Sequence, residues 1–405
     1  MRILVVSDLY PPVSYGGYEM ECATVVEHLR ERHDVTVLTS DRDRDDAPPA
    51  AGVRRELPFS GASRSTAVAA PLHALRAARV ARAALASAQP ELVFTWNGTA
   101  IPTAALRVAV DHGVPVVHRL CERWFAQHVL LGDHFLRHLA GARRGPRARL
   151  MRLANRHPEL RLDAVAPYRA AISWNSDALR RAVRLPAMIE PVLERTIHPA
   201  TRTAERLAGL ERRPSPRPSL LFVGRLGWQK GADVAVRALG ALRERHGIEA
   251  ELVIAGPFDA AGAREVEALA ATAGVAGRVQ LRGRLGAEAL GAALQQAHVL
   301  VAPSRQEAFG LACVEAAAAR VPVVASRADG IPEALRDSEH ALLFAVDDVT
   351  ACADAVARTL QRPEETAARV ARAAERAREL SVKRYLAATD AFLDDAVGRW
   401  EARAA

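Results

Sequence analysis

Two α/β domains with parallel sheets are predicted from three features of the chain. Short apolar runs that read as buried strands alternate with longer stretches of helical periodicity, the pattern of a helix-covered parallel sheet rather than a bundle. At 405 residues the chain is too long for one ordinary core and suits two. A proline-interrupted stretch near the middle, with Pro186, Pro191, Pro199 and Arg212-Arg-Pro-Ser-Pro-Arg-Pro218, separates the two alternating halves. The expected division is a first domain over 1–195, a linker over 196–218, a second domain over 219–385 and a last helix over 386–405.

Residues 2–7 read as the first core strand, and a helix is expected up to about Arg32. Between them runs Tyr10-Pro-Pro-Val-Ser-Tyr-Gly-Gly-Tyr-Glu19. Gly16 and Gly17 let a phosphate or sugar lie against the backbone; they equally suit a tight strand-to-helix turn. Glu19 falls in the first helical turn, where the dipole favours a carboxylate whatever its role. There is no G-x-G-x-x-G, so a dinucleotide fingerprint is not supported. Further strands are expected at Asp34–Thr39, Glu91–Trp96, from His112 to Val117 and at Ala170–Ser173, with helices over 66–88, 99–112 and 175–184. The stretch 126–162 reads as helical and dense in arginine: Arg137, Arg143, Arg144, Arg147, Arg149, Arg152, Arg156 and Arg161. It serves either as a solvated face or as a surface for an anionic acceptor or an acidic membrane.

The second half opens on Leu220-Leu-Phe-Val-Gly-Arg-Leu-Gly-Trp-Gln-Lys-Gly231, a strand ending at Gly224 and a helix starting near Lys230. Arg225 and Lys230 flank the turn, and two fixed cations match the charge of a diphosphate. A leaving diphosphate gains charge as its bond breaks, so cations placed there favour the transition state over the ground state. Lysine occurs elsewhere only at Lys383, in a chain that otherwise uses arginine, so Lys230 points to a need for a compact charge. Strands at Glu251–Gly256 and Val279–Leu285 and helices over 262–274 and 286–297 lead to Val299–Ala302. Then comes Pro303-Ser-Arg-Gln-Glu-Ala-Phe-Gly-Leu-Ala-Cys-Val-Glu315, a strand-to-helix turn whose free N–H groups and glycine suit an anion. Glu307 and Glu315 lie on the order of 12 Å apart if the span is helical at about 1.5 Å per residue, the length of a sugar nucleotide from ribose to hexose. An ordinary helix start with acidic ends would read the same way. A strand at Val321–Ala325, a turn at Asp329–Glu333 and helices over 349–361, 364–379 and 382–403 complete the chain.

The stretch Pro303–Glu315 resembles the Glu-x7-Glu motif of the family-4 retaining glycosyltransferases. Tyr10–Glu19 resembles their Pro-Pro-x-x-Gly-Gly-x-Glu signature, and Gly224-Arg-Leu with Lys230-Gly their diphosphate-holding segment. The resemblance implies the GT-B fold: two Rossmann-like domains facing a central cleft, with the C-terminal helix crossing back to the first. It implies that Glu315 binds ribose and that Glu307 orients the donor sugar near its anomeric carbon. Phe309, Gly310 and Leu311 would offer backbone N–H groups, and Arg225 and Lys230 would hold the diphosphate. Gly16 and Gly17 would pack against the donor, and Arg284 and Leu285 would hold the nucleobase. The chain also departs from the pattern. The histidine of the family falls on Cys121 and its acid on Glu122, while His118 lies three residues earlier; Glu19, His118, Cys121 and Glu122 are the acceptor-side candidates. Asn-Gly-Val-Asp is replaced by Glu190-Pro-Val-Leu193, a Gly-Gly by Asp329-Gly330, and a glycine by Arg320.

The implied activity is retaining transfer of a hexose-type sugar from a UDP- or GDP-sugar to a hydroxyl or other nucleophile of a small-molecule, glycan or lipid acceptor. No obligate cofactor and no metal are expected, because the two cations serve the leaving group. The alternatives are a non-catalytic nucleotide-sugar-binding subunit and a sugar-nucleotide epimerase of the same fold. The net charge of +8 fits anionic partners without choosing among them. With 5% aromatic residues and no recognition module, no nucleic-acid partner is expected. No transmembrane run and no signal peptide are read. Cys22, Cys121, Cys313 and Cys352 form no C-x-x-C pair, which fits reduced thiols and a cytoplasmic location, with the arginine-rich 137–161 as the peripheral membrane contact.

Overall fold

The computed structural model describes all residues except 14–15, 45–46, 61–67, 124–132, 134, 136–137, 140–143, 158–159, 161–167, 188 and 403–405. Arg137, Arg143 and Arg161 of the arginine-rich stretch lie outside the described residues. The chain forms two compact units. One comprises Met1–Asn175, Leu179–Ile197 and Leu386–Ala405, the other Ser176–Ala178 and His198–Tyr385. The stretch read as a linker thus divides at Ile197, and its later part carries a short helix, Arg202–Leu207, within the second unit.

In the first unit seven parallel strands follow the order β3-β2-β1-β4-β5-β6-β7. They are β1 (Arg2–Ser7), β2 (Asp34–Ser40), β3 (Val53–Leu57), β4 (Leu92–Trp96), β5 (Val116–Leu120), β6 (Tyr168–Trp174) and β7 (Ile189–Thr196). β4 and β5 are buried at every residue, as a parallel sheet covered on both faces requires. The helix Ala69–Ala88 buries Ala70, Ala74, Ala77, Ala78, Ala81 and Ala84, small side chains at helical spacing that admit close approach. The last helix, Val382–Glu401, joins this unit from Leu386 onward. There Asp390 takes hydrogen bonds from Arg32 and, at 2.8 Å, His28, and Arg195 reaches Asp395 at 2.7 Å.

The second unit has six parallel strands in the order β10-β9-β8-β11-β12-β13. They are β8 (Ser219–Val223), β9 (Glu251–Ala255), β10 (Val279–Gly283), β11 (Val299–Ala302), β12 (Val323–Ser326) and β13 (Leu342–Phe344). Both sheets are parallel and Rossmann-like, as the alternation of strands and helices predicts. The strands that the sequence did not reveal, β3, β7 and β13, are all at sheet edges. β3 reads Val-Arg-Arg-Glu-Leu, β7 carries Pro191 where its register with β6 shifts, and β13 is three residues long. Edge strands tolerate charge and proline because one side makes no ladder bonds. Arg320 and Asp329 have φ of 57° and 36°, the left-handed region where glycine is the easier residue. No helix among the described residues is long and apolar enough to cross a membrane.

An ion pair lies inside the first unit. Arg119 of β5 donates to Glu21 Oε1 from Nε at 3.2 Å and from Nη2 at 2.7 Å. Its Nη1 donates to Ser173 Oγ and to the carbonyls of Trp174 and Ile197. Both side chains are almost fully buried. A buried pair is costly to break because the surviving charge is stranded. Arg119→Met is expected to cost roughly 3–5 kcal/mol of stability, and the double replacement Glu21→Met with Arg119→Met less than either single change. Denaturant unfolding checks this, and an additive double mutant contradicts it.

Candidate functional site

Two turns leave the C-terminal ends of β8 and β11, which lie side by side where the strand order of the second sheet reverses. That crevice is where open α/β sheets bind ligands. The β8 turn runs through Gly224 and a single 3-10 turn, Trp228–Lys230, to Gly231 and the helix Ala232–His246. Gly231 has φ +69°, and a Cβ there would stand 2.0 Å from the Pro303 carbonyl oxygen, so only glycine lets the two turns touch. The amides of Arg305 and Gln306 both donate to the Gln229 carbonyl, at 2.7 and 3.2 Å. Arg305, which the sequence reading did not single out, fastens the turns further. It pairs with both carboxylate oxygens of Asp233, bonds Asp347 at 2.6 Å and the Trp228 carbonyl at 2.9 Å, and lies over the Trp228 ring.

The fastening brings Lys230 and Glu307 together. Lys230 Nζ lies 2.6 Å from Glu307 Oε2, and both side chains are part-buried. Ser304 Oγ donates to the same oxygen at 3.3 Å. The Glu307 amide donates to Asp329 Oδ2 at 3.1 Å, and the Glu307 carbonyl accepts from the Gly330 amide at 3.0 Å. A Cβ at Gly330 would lie 2.1 Å from the Ala308 carbonyl oxygen, so the next loop presses on this one. Gly310, with φ +98°, begins the helix Leu311–Ala318. The amides of Phe309, Gly310 and Leu311 have no acceptor among the described residues and lie at the positive end of that helix. The Phe309 ring is buried and stacks on His198 with centroids 4.9 Å apart. Arg225 is exposed and has no acidic partner among the described residues. Arg284 is exposed and Leu285 half-buried against the core, both just beyond β10. Glu315 is half-buried and accepts from Thr201 Oγ1 at 3.2 Å; burial pushes its carboxyl up to about 7.

The first-unit candidates separate into different roles. Gly16 and Gly17 are exposed, and the Gly16 amide donates to Glu19 Oε2 at 3.0 Å. Glu19 is buried and closes the first turn of its own helix, the structural alternative given above. His118, one of the acceptor-side candidates, lies in the core. It is fully buried in β5, with Nδ1 bonded to Thr95 Oγ1 at 2.6 Å and Nε2 to the Tyr168 hydroxyl at 3.0 Å, and burial pushes its pKa down to about 3. Cys121 is buried and its thiol pushed well up by burial, so it stays protonated; its Sγ is 4.0 Å from Glu21. Glu122 is half-buried and takes a hydrogen bond from Thr99 Oγ1 at 2.9 Å. Within the arginine-rich stretch, the described helix Pro146–Ala154 exposes Leu150 and Leu153 among its arginines.

Residues 208–377, nearly all of the second unit, match the family described as "Glycosyl transferases group 1". This part of the chain belongs to the group 1 glycosyl transferases. A D-inositol 3-phosphate glycosyltransferase of Saccharomonospora viridis is 36% identical over 209 residues, covering 50% of this chain and 47% of that relative. One from Actinosynnema mirum is 38% identical over 150 residues, 36% of each chain. The chain thus matches about half the length, or less, of these curated relatives. The fold likeness extends further. Sucrose-phosphate synthase from Thermosynechococcus elongatus superimposes with a TM-score of 0.72 at 19% identity, over 98% of this chain and 99% of that one. Anabaena HepE in complex with UDP and glucose gives 0.68 at 16%, over 97% and 99%. The chain therefore has the GT-B fold.

Glu315 yields a pH prediction. Between about 4.5, its ordinary value, and about 7, Glu315 in the folded chain holds a proton that it releases in the unfolded chain. Stability from this residue therefore falls as pH rises through that window. Glu315→Gln mimics the neutral carboxyl. Compared with the natural chain, it is expected to melt at a similar temperature at pH 5 and at a higher one at pH 8. The same difference at both pH values contradicts the assignment.

Proposed function

We propose that the chain is a retaining glycosyltransferase that moves a hexose-type sugar from a UDP- or GDP-sugar to a hydroxyl of a small-molecule, glycan or lipid acceptor. The observation that carries this reading is the Lys230–Glu307 contact at 2.6 Å, set beside three backbone amides without acceptors. A resting ion pair at the end of a Rossmann-like sheet is a site for exchange. An incoming diphosphate takes Lys230 with a stronger, charge-assisted hydrogen bond. Glu307, released, accepts from a hydroxyl of the donor sugar.

The reaction then divides among named groups. The amides of Phe309, Gly310 and Leu311 bind phosphate oxygens at the helix N-terminus. Glu315 takes the ribose hydroxyls, and Arg284 and Leu285 border the base. Gly16 and Gly17 give the donor room to approach. As the glycosidic bond breaks, charge grows on the diphosphate, and Arg225 and Lys230 stabilise it more than they stabilised the intact donor. These two cations supply the leaving-group stabilisation in this reading, with no metal ion assigned a role. The named relatives are D-inositol 3-phosphate glycosyltransferases, which supports trying a phosphorylated polyol first among the small-molecule acceptors.

A second reading is favoured by one observation. Cys121 stands where the family pattern has histidine, its thiol is neutral, and His118 is occupied within the sheet. A nucleotide-sugar-binding subunit without turnover fits that loss. Purified protein separates the two: transfer or hydrolysis of a UDP- or GDP-sugar supports the enzyme, and binding without either supports the subunit. For the enzyme, Lys230→Ala and Glu307→Ala are each expected to lower turnover by at least about a hundredfold, the scale of one lost transition-state charge partner. Steady-state kinetics on folded variants checks this, and unchanged rates overturn both assignments.

A further inference from the structure

The helix Pro363–Glu379 of the second unit carries four arginines, and three of them are paired. Arg372 Nε donates to the Glu339 carbonyl at 3.0 Å. Arg376 donates to the carbonyls of Ala334 and Glu333, at 3.2 and 3.0 Å, and Arg378 bonds Glu375. Arg369 is the exception. It is 5% exposed, and it makes no hydrogen bond or ion pair with any described residue. Its Nε is shut off from solvent, while the two terminal nitrogens keep an opening.

A guanidinium cannot shed its charge to suit such a setting. A buried charge without a partner is costly, so the position calls for an anion. The charged groups around Arg369 are Arg358 from the helix Val349–Gln361, Glu365 and Arg372 from its own helix, and Asp337 from the loop before β13. Both acids are engaged elsewhere. Glu365 lies one turn before Arg369, but its Oε2 takes Nε and Nη2 of Arg358, at 3.2 and 3.0 Å. Asp337 accepts from Arg327 at 2.7 Å and from the Leu343 amide at 2.8 Å. Three arginines thus face two occupied acids, and the local balance is positive. Burial, with Arg358 adding to it, pushes the Arg369 pKa down, which marks its charge as poorly compensated by the protein itself.

We propose that Arg369 forms the floor of an oxyanion site in the second unit that binds a phosphate group, as free phosphate or as the head of a phosphomonoester. The fork of a guanidinium matches two oxygens of such a group, and the bonds are strengthened by charge. A phosphate monoester carries about −1.5 to −2 at neutral pH, more than one arginine balances. Arg358 and Arg372 supply the rest from either side. Arg358 and Glu365 also line a groove of about 400 Å³, together with His246, Gln361 and Arg362, which leaves room for the body of a phosphomonoester. The acids on its wall are paired, Asp354 with His246 at 2.7 Å and Glu365 with Arg358 at 3.0 Å. None of these residues belongs to the turns that carry Lys230 and Glu307. The site therefore stands whether or not the chain transfers a sugar.

Isothermal titration of the full chain at matched ionic strength tests the site, with inorganic phosphate and glycerol 3-phosphate as the probes. The natural chain is expected to bind at least one of them, and the tighter binder identifies the source of the phosphate group. Arg369→Lys keeps the stem and the charge but loses the fork, so it folds and is expected to bind at least about tenfold more weakly, the scale of one lost charge-assisted hydrogen bond. Arg369→Met is expected to abolish binding. Lys230→Ala removes a cation of the diphosphate turn and is expected to leave phosphate binding as in the natural chain. A natural chain that binds neither probe overturns the proposal, and so does an Arg369→Lys chain that binds as tightly as the natural one. Loss of phosphate binding in Lys230→Ala, with Arg369→Lys unaffected, would place the anion at the diphosphate turn and overturn it as well.

Discussion

The contact between Lys230 and Glu307 depends on two loops being held at a fixed separation, and most of the local chemistry of the second unit serves that end. Gly231 and Gly330 remove the atoms that would push the loops apart. Arg305 spends its whole hydrogen-bonding face on Asp233, Asp347 and the Trp228 carbonyl, so the β11 turn cannot slide along the β8 turn. The aliphatic stem of Lys230 runs past Gly224, where a Cβ would lie 3.4 Å from its Cγ. A single part-exposed ion pair contributes little beside the fixed bonds of this frame, so the pair is better understood as positioned by the frame than as holding it together.

The same logic explains why carboxyls in the two units carry high pKa values. Glu315 and Asp8 are withdrawn from water at the C-terminal ends of parallel strands or in the helix just beyond, and desolvation is the largest effect on each. The cost of such burial is tolerated where hydroxyls and amides are aimed at the carboxyl: Thr201 for Glu315, Thr99 and Ala100 for Asp8. His118 shows the opposite outcome, a buried imidazole held neutral between Thr95 and Tyr168.

Much of the fold was legible because buried parallel strands announce themselves. β4 and β5 are apolar runs with helices on either side. The edge strands β3, β7 and β13 were not legible, since charge, proline and shortness hide the signal. In the site, the residues whose chemistry is carried by local spacing could be read: Gly310 at a helix start, Lys230 as one lysine among arginines, and the pair Glu307 and Glu315. Residues joined only by the tertiary fold could not. Nothing in the sequence near Arg305 says that it meets Asp233 and Asp347, and nothing near Asp8 says that Thr99 lies between it and Glu122. His118 is another case, because strand position does not reveal that two hydroxyls bond its ring.

The most direct measurement is a crystal structure of the chain with a bound nucleoside diphosphate, UDP first. The account predicts that Lys230 Nζ leaves Glu307 and lies within about 3.2 Å of a phosphate oxygen, with the amides of Phe309, Gly310 and Leu311 on the same group. A diphosphate bound elsewhere, with the Lys230–Glu307 contact intact, would contradict it.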